Sequence, residues 1–565
     1  MYDPALPRSR VFLPAMLSGL LLYLCFFPVN AGFLGWVAVV PLLSLVRANA
    51  RPRRVYFATF VGGLFFYVPA ISWMRVAHPA MYASWLFLAF CCAIFLVMTM
   101  WIARRLDRVG VPFWLAVPVG FVAVEYFRSH FPTGYTWLET VGLRNPIGFG
   151  WYMLGHTQHD WLSLIQIADL AGVYGLTFLV AMVNAVLWLG LEQTLRARKL
   201  LRLRDDIAPT SIRPSLVAAA LLVAAVVYGH VRLGHAPFAD GPQVALIQGN
   251  LPQDIKNTKG PEMERHFGAL ARESLRPPAG QPAPDLVIWP ETSLVFGWYD
   301  LGAGADIETA PQPFRREFNL CRLDVAELAA HWKTPMLYGL NAYQWEADDM
   351  EWRYNSALLV DVAGKPVARY DKIHLVPFGE YVPLEKYFPF MTVFTPYDKP
   401  YSCKPGEHWT RFPITVGDRT YHFACVICYE DTDATLARQY VRPSADGVDF
   451  IVNISNDGWF DGTAEHEQHL AIARFRAVET RRSVVRAVNM GISAIIDPDG
   501  RVVALPGETW AQSKKVSAIV RGPVPIDTRT SLYARLGDWL PILTWAIVLG
   551  GFVRGSIRRW PAAKA

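Results

Sequence analysis

Long apolar runs separated by short polar segments dominate the first 238 residues of the chain, and they predict a membrane domain. Counted with their flanks, the runs reach about 20 residues, the length that an α-helix needs to cross the hydrocarbon core of a bilayer. We expect seven spans in this part and an eighth close to the C-terminus. Their apolar centres lie at about 11–27, 33–46, 55–73, 81–102, 111–127, 170–191, 217–228 and 536–553.

Clusters of arginine and lysine lie at every second boundary between the apolar runs, and they predict the orientation of the spans. Cytoplasmic loops of membrane proteins carry an excess of positive charge. If all the spans exist, these clusters share one side of the membrane, so that both termini are cytoplasmic and the hydrophilic block before the last span is outside. The clusters are Arg8 and Arg10; Arg47, Arg51, Arg53 and Arg54; Arg104, Arg105 and Arg108; Arg196, Arg198, Lys199, Arg202 and Arg204; and Arg554, Arg558, Arg559 and Lys564.

From residue 239 to residue 528 the apolar period shortens, and strand patterns alternate with helix patterns. Such alternation is typical of one α/β domain with its own core. We therefore expect a transmembrane domain at 1–238 with an outer loop at 129–161, a catalytic domain at 239–528, and a transmembrane helix with a cytoplasmic tail at 529–565. The predicted strands are 244–248, 286–289, 336–339, 356–360, 421–428, 450–454, 484–488 and 493–496, and the predicted helices are 263–275, 314–332, 432–441 and 464–481.

Composition narrows the class of protein further. Hydrophobic residues make up 53% of the 565 residues and the mean hydropathy is +0.21, values too apolar for an ordinary soluble protein. The net charge of +6 does not indicate a nucleic-acid partner, because the basic residues lie in short clusters beside apolar runs. Seven cysteines are too few for a disulfide framework, although a pair between Cys321 and Cys403 stays open.

Three positions in the predicted α/β domain carry side chains that together form a catalytic set. The run 285–291 ends on Glu291, the run 423–430 reaches Cys428, and Lys372 lies between them in the chain. A thiol becomes a strong nucleophile when a neighbouring base takes its proton, and an ammonium stabilises the oxyanion that forms on an attacked carbonyl. We therefore predict that Cys428 is the nucleophile, Glu291 the general base and Lys372 the oxyanion donor.

The same residues resemble the catalytic blocks of a known superfamily. Three ordered blocks of the nitrilase, or carbon-nitrogen hydrolase, superfamily have similar counterparts here: Trp289-Pro290-Glu291, the segment 372–380 and Cys428-Tyr429-Glu430. The second block and the membrane spans resemble in particular its membrane-bound branch, the apolipoprotein N-acyltransferases, over nearly the whole chain. This resemblance implies an α-β-β-α sandwich with the triad at strand ends, joined to a polytopic α-helical membrane domain of about eight helices.

For the activity, the resemblance implies transfer of an acyl chain from a phospholipid, through a thioester on Cys428, to an apolipoprotein. The acceptor would be the α-amino group of the diacylglyceryl-modified cysteine at the lipoprotein's N-terminus. No metal and no cofactor are expected, because conversion of an ester into an amide is downhill. The expected setting is the inner membrane of a bacterium, with the catalytic domain in the periplasm and the protein acting as a monomer.

The resemblance also gives supporting roles to other residues. Glu380 and Glu430 are expected to orient Lys372 and to tune Glu291. The segment 453–460 resembles a fourth family block, but Asp461 stands where the family commonly has glycine. In the outer loop, the motif 132–137 and Gln158 resemble the family's periplasmic loop, although 138–151 is longer than the usual pattern.

Aromatic residues in apparent loops are the predicted contacts to lipid. Tyr429, Trp459 and Phe460 follow strand ends close to the predicted triad. Trp298 and Phe390 belong to two aromatic clusters in apparent loops. Such clusters are either core packing or lids that dip into the membrane and receive lipid.

Two motifs have metal-ligand residue types, and we favour other roles for both. His156, His159 and Asp160 are close in sequence, but loops rich in histidine and aromatic residues also suit the headgroup zone of a bilayer. The pair Cys425-x-x-Cys428 has no second pair at zinc spacing, so Cys425 is expected to be a core residue. We therefore predict no metal site.

Other classes of protein fit the sequence less well. A membrane-anchored amidase would use the same triad but hydrolyse its thioester, and it is the closest alternative. A transporter explains the spans but not the triad, and only Glu125 with Arg128, one turn later, offers paired charge within a span. A non-catalytic assembly protein does not explain why all three catalytic positions carry competent residues.

Overall fold

The structure, a computed structural model, covers both the predicted membrane domain and the predicted α/β domain. It describes residues 9–131, 148–197, 211–235, 237–258, 260–276, 278–348, 350–382, 389–390, 402–442 and 446–557. The predictions for the motif 132–137, for most of the long outer-loop segment after it, for most of the aromatic cluster around Phe390, and for several basic residues such as Arg8 and Arg202 lie outside the described residues.

The N-terminal part consists of long apolar helices joined by short turns. The helices are α1 Ser9–Leu24, α2 Val40–Leu43, α3 Pro52–Ala70, α4 Met81–Arg108, α5 Phe113–His130, α6 Leu162–Ile165, α7 Ala168–Ala171, α8 Val173–Ala197 and α9 Arg213–Leu233, with α17 Trp539–Ile557 at the C-terminal end. By length and composition, four helices in the described ranges can cross a membrane: α4, α8, α9 and α17. The prediction of eight spans is therefore supported for four of them.

The predicted span at 33–46 is wrong as a continuous helix. The chain forms a 3-10 turn at Gly32–Trp36 and then the single turn of α2. Pro41 lies inside this run and has no N–H to donate to a preceding helical turn. Helices α1, α3 and α5 coincide with predicted spans, but α1 has only 16 residues, α3 begins with two arginines, and α5 carries Glu125 and Arg128.

Close contact between α1 and α3 depends on glycine. A Cβ atom on Gly62 would lie 2.4 Å from the carbonyl oxygen of Ala15, and one on Gly19 would lie 2.1 Å from the carbonyl oxygen of Gly62. Small residues let two helix backbones approach in this way, and membrane helices commonly associate through them.

Glu125 and Arg128 do not form the direct pair that the sequence suggested. The carboxylate of Glu125 accepts hydrogen bonds from the Thr177 hydroxyl at 2.6 Å and from the Leu154 backbone N–H at 2.7 Å. Arg128 instead donates to the backbone carbonyl of Trp151 at 2.6 Å. Each of the two buried charges is hydrogen-bonded to other groups, so this site offers no transporter-like charge pair.

The central part of the chain is an α/β domain built on two sheets. One sheet has the strand order β13-β1-β2-β4-β5-β6, with β3 beside β4, and the other has the order β12-β11-β10-β9-β8-β7. The strands are β1 Ala239–Gln248, β2 Leu286–Ile288, β3 Trp298–Leu301, β4 Met336–Trp345, β5 Glu351–Val360, β6 Pro366–Asp371, β7 Arg411–Val416, β8 Arg419–Ile427, β9 Phe450–Asn456, β10 Ser483–Asn489, β11 Ala494–Ile496, β12 Val502–Ala504 and β13 Ala518–Ile526.

Helices cover the outer face of each sheet, so the domain has the four layers that the resemblance implied. Leu246, Ile288 and Phe423 belong to the core between the two sheets. Helices α11 and α12 pack on the first sheet, and α13 and α14 pack on the second. The remaining helices are α10 Gln253–Thr258, α11 Pro261–Ser274, α12 Gln312–Trp332, α13 Ala434–Gln439, α14 Glu465–Thr480, α15 Trp510–Ser513 and α16 Leu532–Leu536.

All eight predicted strands and all four predicted helices of this domain are confirmed, but five strands were missed. Among these, β13 contains Gly522, Pro523 and Pro525, residues that normally indicate a turn. Prolines are tolerated there because β13 is an edge strand, where one side of the backbone needs no partner in the sheet.

Helix α14 joins the two halves of the molecule. All of its 16 residues are buried. Leu470 and Ala473 face the second sheet, whereas Phe475 and Val478 pack in a cluster with residues of α5 to α8. The helix is thus enclosed between the α/β domain and the membrane helices.

The contact between α1 and α3 gives a first testable prediction. Gly62→Val should destabilise the protein by about 2 kcal/mol, because the new side chain forces the two backbones apart. The matched control is Gly190→Val in α8, where an added Cβ meets no atom within 4 Å. The measurement is thermal unfolding of the purified protein in detergent, and equal melting temperatures for the two variants would contradict the proposed packing.

Candidate active site

The predicted nucleophile lies at a sharp turn where a buried strand ends. Strand β8 stops at Ile427, Cys428 has a φ of 53°, and a 3-10 helix follows over Cys428–Thr432. A positive φ is uncommon for a residue other than glycine, and such strain clusters at active sites. The turn takes Cys428 out of the strand's alternation, while Cys425 stays buried in the core between the sheets, as predicted.

Glu291 lies near Cys428 but belongs to a segment that follows a strand of the other sheet. It follows β2 by three residues and is 7% exposed. One carboxylate oxygen accepts a hydrogen bond from the Asn355 side chain at 2.6 Å, and the other accepts one from the backbone N–H of Asn456 at 2.9 Å. These bonds to both oxygens fix the direction in which the carboxylate points.

Lys372 comes directly after β6 and lies between two carboxylates. Its Nζ is 2.9 Å from Glu380 Oε2 and 3.5 Å from Glu291 Oε1. The side chain is 1% exposed, and Asn355 bridges Glu380 and Glu291 from the other side through its amide nitrogen. The structure therefore brings Glu291, Lys372 and Glu380 together, as the sequence predicted.

The charges of these groups determine the protonation state of the site. Burial alone would lower the pKa of the Lys372 ammonium, but the carboxylates of Glu380 and Glu291 outweigh it and hold that pKa well above its usual range. Burial, and then the charge of Glu291, raises the pKa of the Cys428 thiol to about 12, although Lys372 acts in the opposite direction. At neutral pH the site holds an ammonium and a neutral thiol, so the thiol needs a base before it can attack.

Glu430 connects the turn at Cys428 to the segment that carries Lys372. One of its oxygens accepts from the Tyr370 hydroxyl at 2.8 Å and from the backbone N–H groups of Ile373 and His374 at 2.8 and 2.9 Å. The other accepts from the backbone N–H of Ile427 at 2.7 Å. The carboxylate thereby links the turn at Cys428 to the segment that carries Lys372, and its supporting role in the reaction stays a prediction.

Two of the predicted aromatic contacts lie against the membrane helices. Tyr429 donates to the backbone carbonyl of Gly148, and Phe460 packs edge-on against Trp73 with ring centroids 4.7 Å apart. Trp459 lies beside Phe460 in the 3-10 turn Asp457–Phe460. The strand ends of the second sheet therefore face the membrane domain.

The other two aromatic residues predicted to contact lipid, Trp298 and Phe390, differ sharply in burial. Trp298 is wrong as a lid residue: it belongs to β3, is 2% exposed and packs between the first sheet and α12, with the guanidinium of Arg322 over its ring. The core-packing alternative is correct for this residue. Phe390 is 62% exposed, and its role stays a prediction.

Behind the nucleophile turn lies a buried network of charges that the sequence did not reveal. His469 of α14 has its Nε2 2.7 Å from an oxygen of Asp431, and Arg486 of β10 contacts the other oxygen of that carboxylate. Asp431 belongs to the 3-10 turn that begins at Cys428. Burial opposes protonation of His469, but Asp431 and Asp457 outweigh it and hold the pKa of the imidazole well above its usual range.

Part of this network has ligand types that can bind a cation. Asp457, Glu465 and His466 offer ligand atoms within 4.8 Å of one another. However, the Gly462 N–H donates to His466 Nε2 at 2.8 Å, so Nδ1 carries the ring proton and has no lone pair to offer. The guanidinium of Arg486 also lies 3.8 Å from Asp457. We therefore interpret the cluster as a charge network and not as a metal site.

The histidine motif of the outer loop contacts α14. His159 has Nε2 2.8 Å from the Asn30 side chain and Nδ1 3.1 Å from Asp160. Asp160 in turn pairs with Arg474 of α14 at 3.2 Å. His156 packs against Phe475 of the same helix. Both ring nitrogens of His159 are engaged, which favours a role in the contact between the two domains over metal binding.

All seven cysteines are free thiols, so Cys321 and Cys403 do not pair. Cys321 is buried between the first sheet and α12, whereas the backbone N–H of Cys403 donates to the Glu380 carbonyl close to the site. The fold therefore contains no disulfide.

The high pKa of Cys428 can be tested by alkylation. Because only the thiolate reacts, labelling by iodoacetamide should accelerate about tenfold for each pH unit and should show no plateau up to about pH 10. Labelling of Cys428→Ala, followed by peptide mass spectrometry, gives the contribution of the other cysteines. A plateau near pH 8 would mean that the thiolate is already stabilised in the resting site, contrary to the structure.

Two family models and several curated relatives match this chain. The N-terminal domain of apolipoprotein N-acyltransferases matches residues 18–186, and carbon-nitrogen hydrolase matches residues 243–516. An apolipoprotein N-acyltransferase of Geobacter metallireducens is 32% identical over 571 aligned residues, which cover 98% of this chain and 96% of the relative. One of Chlorobaculum tepidum is 28% identical and covers 96% of each chain.

Among solved structures, an amidase from Nesterenkonia is similar over 55% of this chain and 99% of its own, at 16% identity and a TM-score of 0.34. The four-layer fold follows from the two sheets and from the helices that pack on their outer faces. The full-length relatives and the two domain models lead to the same result. The chain belongs to the apolipoprotein N-acyltransferase family, whose catalytic part is a carbon-nitrogen hydrolase domain.

Proposed function

We propose that this protein transfers an acyl chain from a membrane phospholipid to the N-terminal α-amine of a diacylglyceryl-modified apolipoprotein, through a thioester on Cys428. One observation carries the proposal beyond family membership. The carboxylate of Glu291 and the ammonium of Lys372 lie 3.5 Å apart, and both act electrostatically on the thiol of Cys428. A base, a cation and a nucleophile at one point are what acyl transfer through a covalent intermediate needs.

In the first half-reaction, the Cys428 sulfur attacks the ester carbonyl carbon of the phospholipid and the thiol proton moves to Glu291. A carbon–sulfur bond forms, and the oxyanion is stabilised by the Lys372 ammonium. Collapse of the tetrahedral intermediate breaks the carbon–oxygen bond of the ester. Glu291 returns its proton to the leaving oxygen, so that the products are a lysophospholipid and an acyl thioester.

In the second half-reaction, Glu291 takes a proton from the attacking α-amine of the lipoprotein cysteine. The amine nitrogen bonds to the thioester carbon, Lys372 again stabilises the oxyanion, and the carbon–sulfur bond breaks. The sulfur regains a proton from Glu291, which restores the resting enzyme. The two half-reactions share one site, so the kinetics are ping-pong.

The position of Lys372 between Glu380 and Glu291 supports its role as a permanent cation. Its ammonium stays protonated through both half-reactions, because two carboxylates hold its pKa high. Glu380, which accepts from the Val376 N–H at 2.8 Å, and Glu430 act as positioning residues. Tyr429, Trp459 and Phe460 are the proposed lining of the acyl site, at the boundary with the membrane helices.

The proposed location is the inner membrane of a bacterium, with both termini in the cytoplasm and the catalytic domain, residues 239–528, in the periplasm. Arg47 supports this orientation. It pairs with Asp107 at the C-terminal end of α4 at 2.8 Å and with Glu192 near that of α8 at 2.9 Å. The arginine-rich segments 47–54 and 104–108 and the C-terminal part of α8 therefore lie at one end of the helix bundle, which the positive-inside rule assigns to the cytoplasm.

The thioester is directly testable. After incubation of the purified protein with phospholipid alone, intact mass spectrometry should show a gain of one acyl chain that hydroxylamine removes. Cys428→Ala should show none, whereas Cys425→Ala should behave as the parent, because Cys425 lies in the core between the sheets. Failure of the parent to gain mass with any phospholipid would contradict the mechanism.

The second half-reaction separates an acyltransferase from an amidase. A synthetic peptide with an N-terminal diacylglyceryl-cysteine should discharge the thioester and gain an N-acyl group, at a rate at least tenfold above that in buffer alone. Release of free fatty acid at the same rate with and without the peptide would instead favour the membrane-anchored amidase. The readout is the mass of the peptide together with that of the protein.

The proposed orientation can be tested with a membrane-impermeant maleimide on spheroplasts. Asp418→Cys, in the exposed turn between β7 and β8, should be labelled in intact spheroplasts. Arg108→Cys, at the exposed end of α4, should be labelled only after the membrane is permeabilised. The reverse result would overturn the proposed topology.

A further inference from the structure

A cavity lies at the base of the C-terminal membrane helix, away from the candidate active site. It has a volume of about 310 Å³. Its polar lining comes from the chain around the end of α14 and from the segment that leads into α16: Thr480, Arg482, Thr530, Ser531 and Arg535. None of these residues has a role in the mechanism described above.

The cavity carries positive charge. Arg482 donates to the backbone carbonyls of Val448 and Arg481 at 2.5 and 2.8 Å, and Arg535 donates to the Thr530 hydroxyl at 3.0 Å. Within the described ranges, no carboxylate lies within 4 Å of either guanidinium.

The negative charges nearest to Arg482 are already engaged. Asp527 pairs with Arg529 at 2.8 Å, and Asp449 lies 3.6 Å from Arg419. Both act on Arg482 only at longer range. The cavity therefore contains two cations whose charge the neighbouring acidic residues do not neutralise.

Helix α16 indicates that the cavity lies at the depth of lipid headgroups. Leu532 and Leu536, one turn apart, are 42% and 56% exposed, while Tyr533 and Ala534 between them are buried. Only two residues separate α16 from α17, which can cross a membrane. A short helix with leucines on its outer face, directly before a transmembrane helix, suits the interface between headgroups and acyl chains.

The cavity is separate from the nucleophile. Strands β8, β9 and β10 are parallel, and Phe423 of β8 is level with Phe450 of β9 and Ser483 of β10. Arg482 directly precedes β10 and thus lies at the N-terminal end of these parallel strands. Cys428 lies five residues beyond Phe423, at their C-terminal end. Arg482 precedes Ser483 by one residue, so the two positions are six residues apart, or about 20 Å along the strands at about 3.3 Å per residue.

We propose that this cavity binds the phosphate of an anionic membrane phospholipid, with Arg482 and Arg535 as the phosphate contacts and the leucines of α16 against the acyl chains. Guanidinium groups match phosphate oxygens in geometry and charge. The bound lipid anchors the α/β domain to the membrane surface and is not the acyl donor of the reaction. The inference rests on the membrane orientation proposed above.

The test is native mass spectrometry of the full chain in detergent, titrated with defined lipids. All variants are made in a Cys428→Ala background, so that no thioester forms and the outcome is independent of acyl transfer. The probes are phosphatidylglycerol, diacylglycerol and inorganic phosphate. Arg535→Gln should weaken phosphatidylglycerol binding about fivefold, the effect of one arginine at an anionic surface. Arg535 is exposed, so its substitution does not disturb the core.

The matched control is Arg315→Gln, an exposed arginine on α12 that pairs with Glu308 and should leave the binding unchanged. Phosphatidylglycerol should bind more tightly than diacylglycerol, and millimolar phosphate should not displace it. Equal binding by the parent and Arg535→Gln, or by the two lipids, would overturn the proposal. Full displacement by phosphate would assign the site to free phosphate and overturn the lipid part.

Discussion

The structure depends most on the complete burial of α14. This helix carries seven ionisable residues, and burying a charge is costly unless a partner or hydrogen bonds replace its water. Several partners come from the membrane part of the chain. Arg474 pairs with Asp160 of the outer loop, Glu479 accepts from the Val173 N–H at 2.8 Å, and Arg481, just beyond the helix, pairs with Asp169 at 2.6 Å. Breaking the fully buried pair of Arg481 and Asp169 costs about 3 to 5 kcal/mol, which favours one relative position of the two domains.

The position of α14 between the two domains also affects the turn that begins at Cys428. The face of α14 towards the nucleophile turn carries His469, which holds Asp431 within that turn, and the ring of His469 packs near Trp151 of the outer loop. The same contacts that attach the sheet to the membrane helices therefore orient the backbone beside Cys428. The contact between the rings of Phe460 and Trp73 lies at the same boundary between the α/β domain and the membrane part.

The charges at the candidate active site explain why the proposed reaction uses three groups, a nucleophile, a base and a cation, and not two. Burial, and then the charge of Glu291, keeps the thiol of Cys428 neutral, and the one ammonium, Lys372, lies between two carboxylates. In the proposed mechanism, a neutral thiol can attack only when its proton moves to Glu291. The proposed task of Lys372 is a separate one, stabilisation of the oxyanion, and its contact with Glu380 holds the ammonium in place.

The sequence by itself predicted the three residues of the proposed triad, the four layers and a membrane part, because buried strands and apolar helices leave apolar periods and because Glu291 and Cys428 follow strand patterns. It did not reveal Asn355, Asn456 or the network around Asp431, since polar residues inside strands and helices give no periodic signal. It also misassigned Trp298, because an aromatic residue is equally suited to a core and to a lipid surface. Only the tertiary structure decided these points: burial and charge pairing depend on which elements meet across the fold, and a pattern along one element carries no information about its partner.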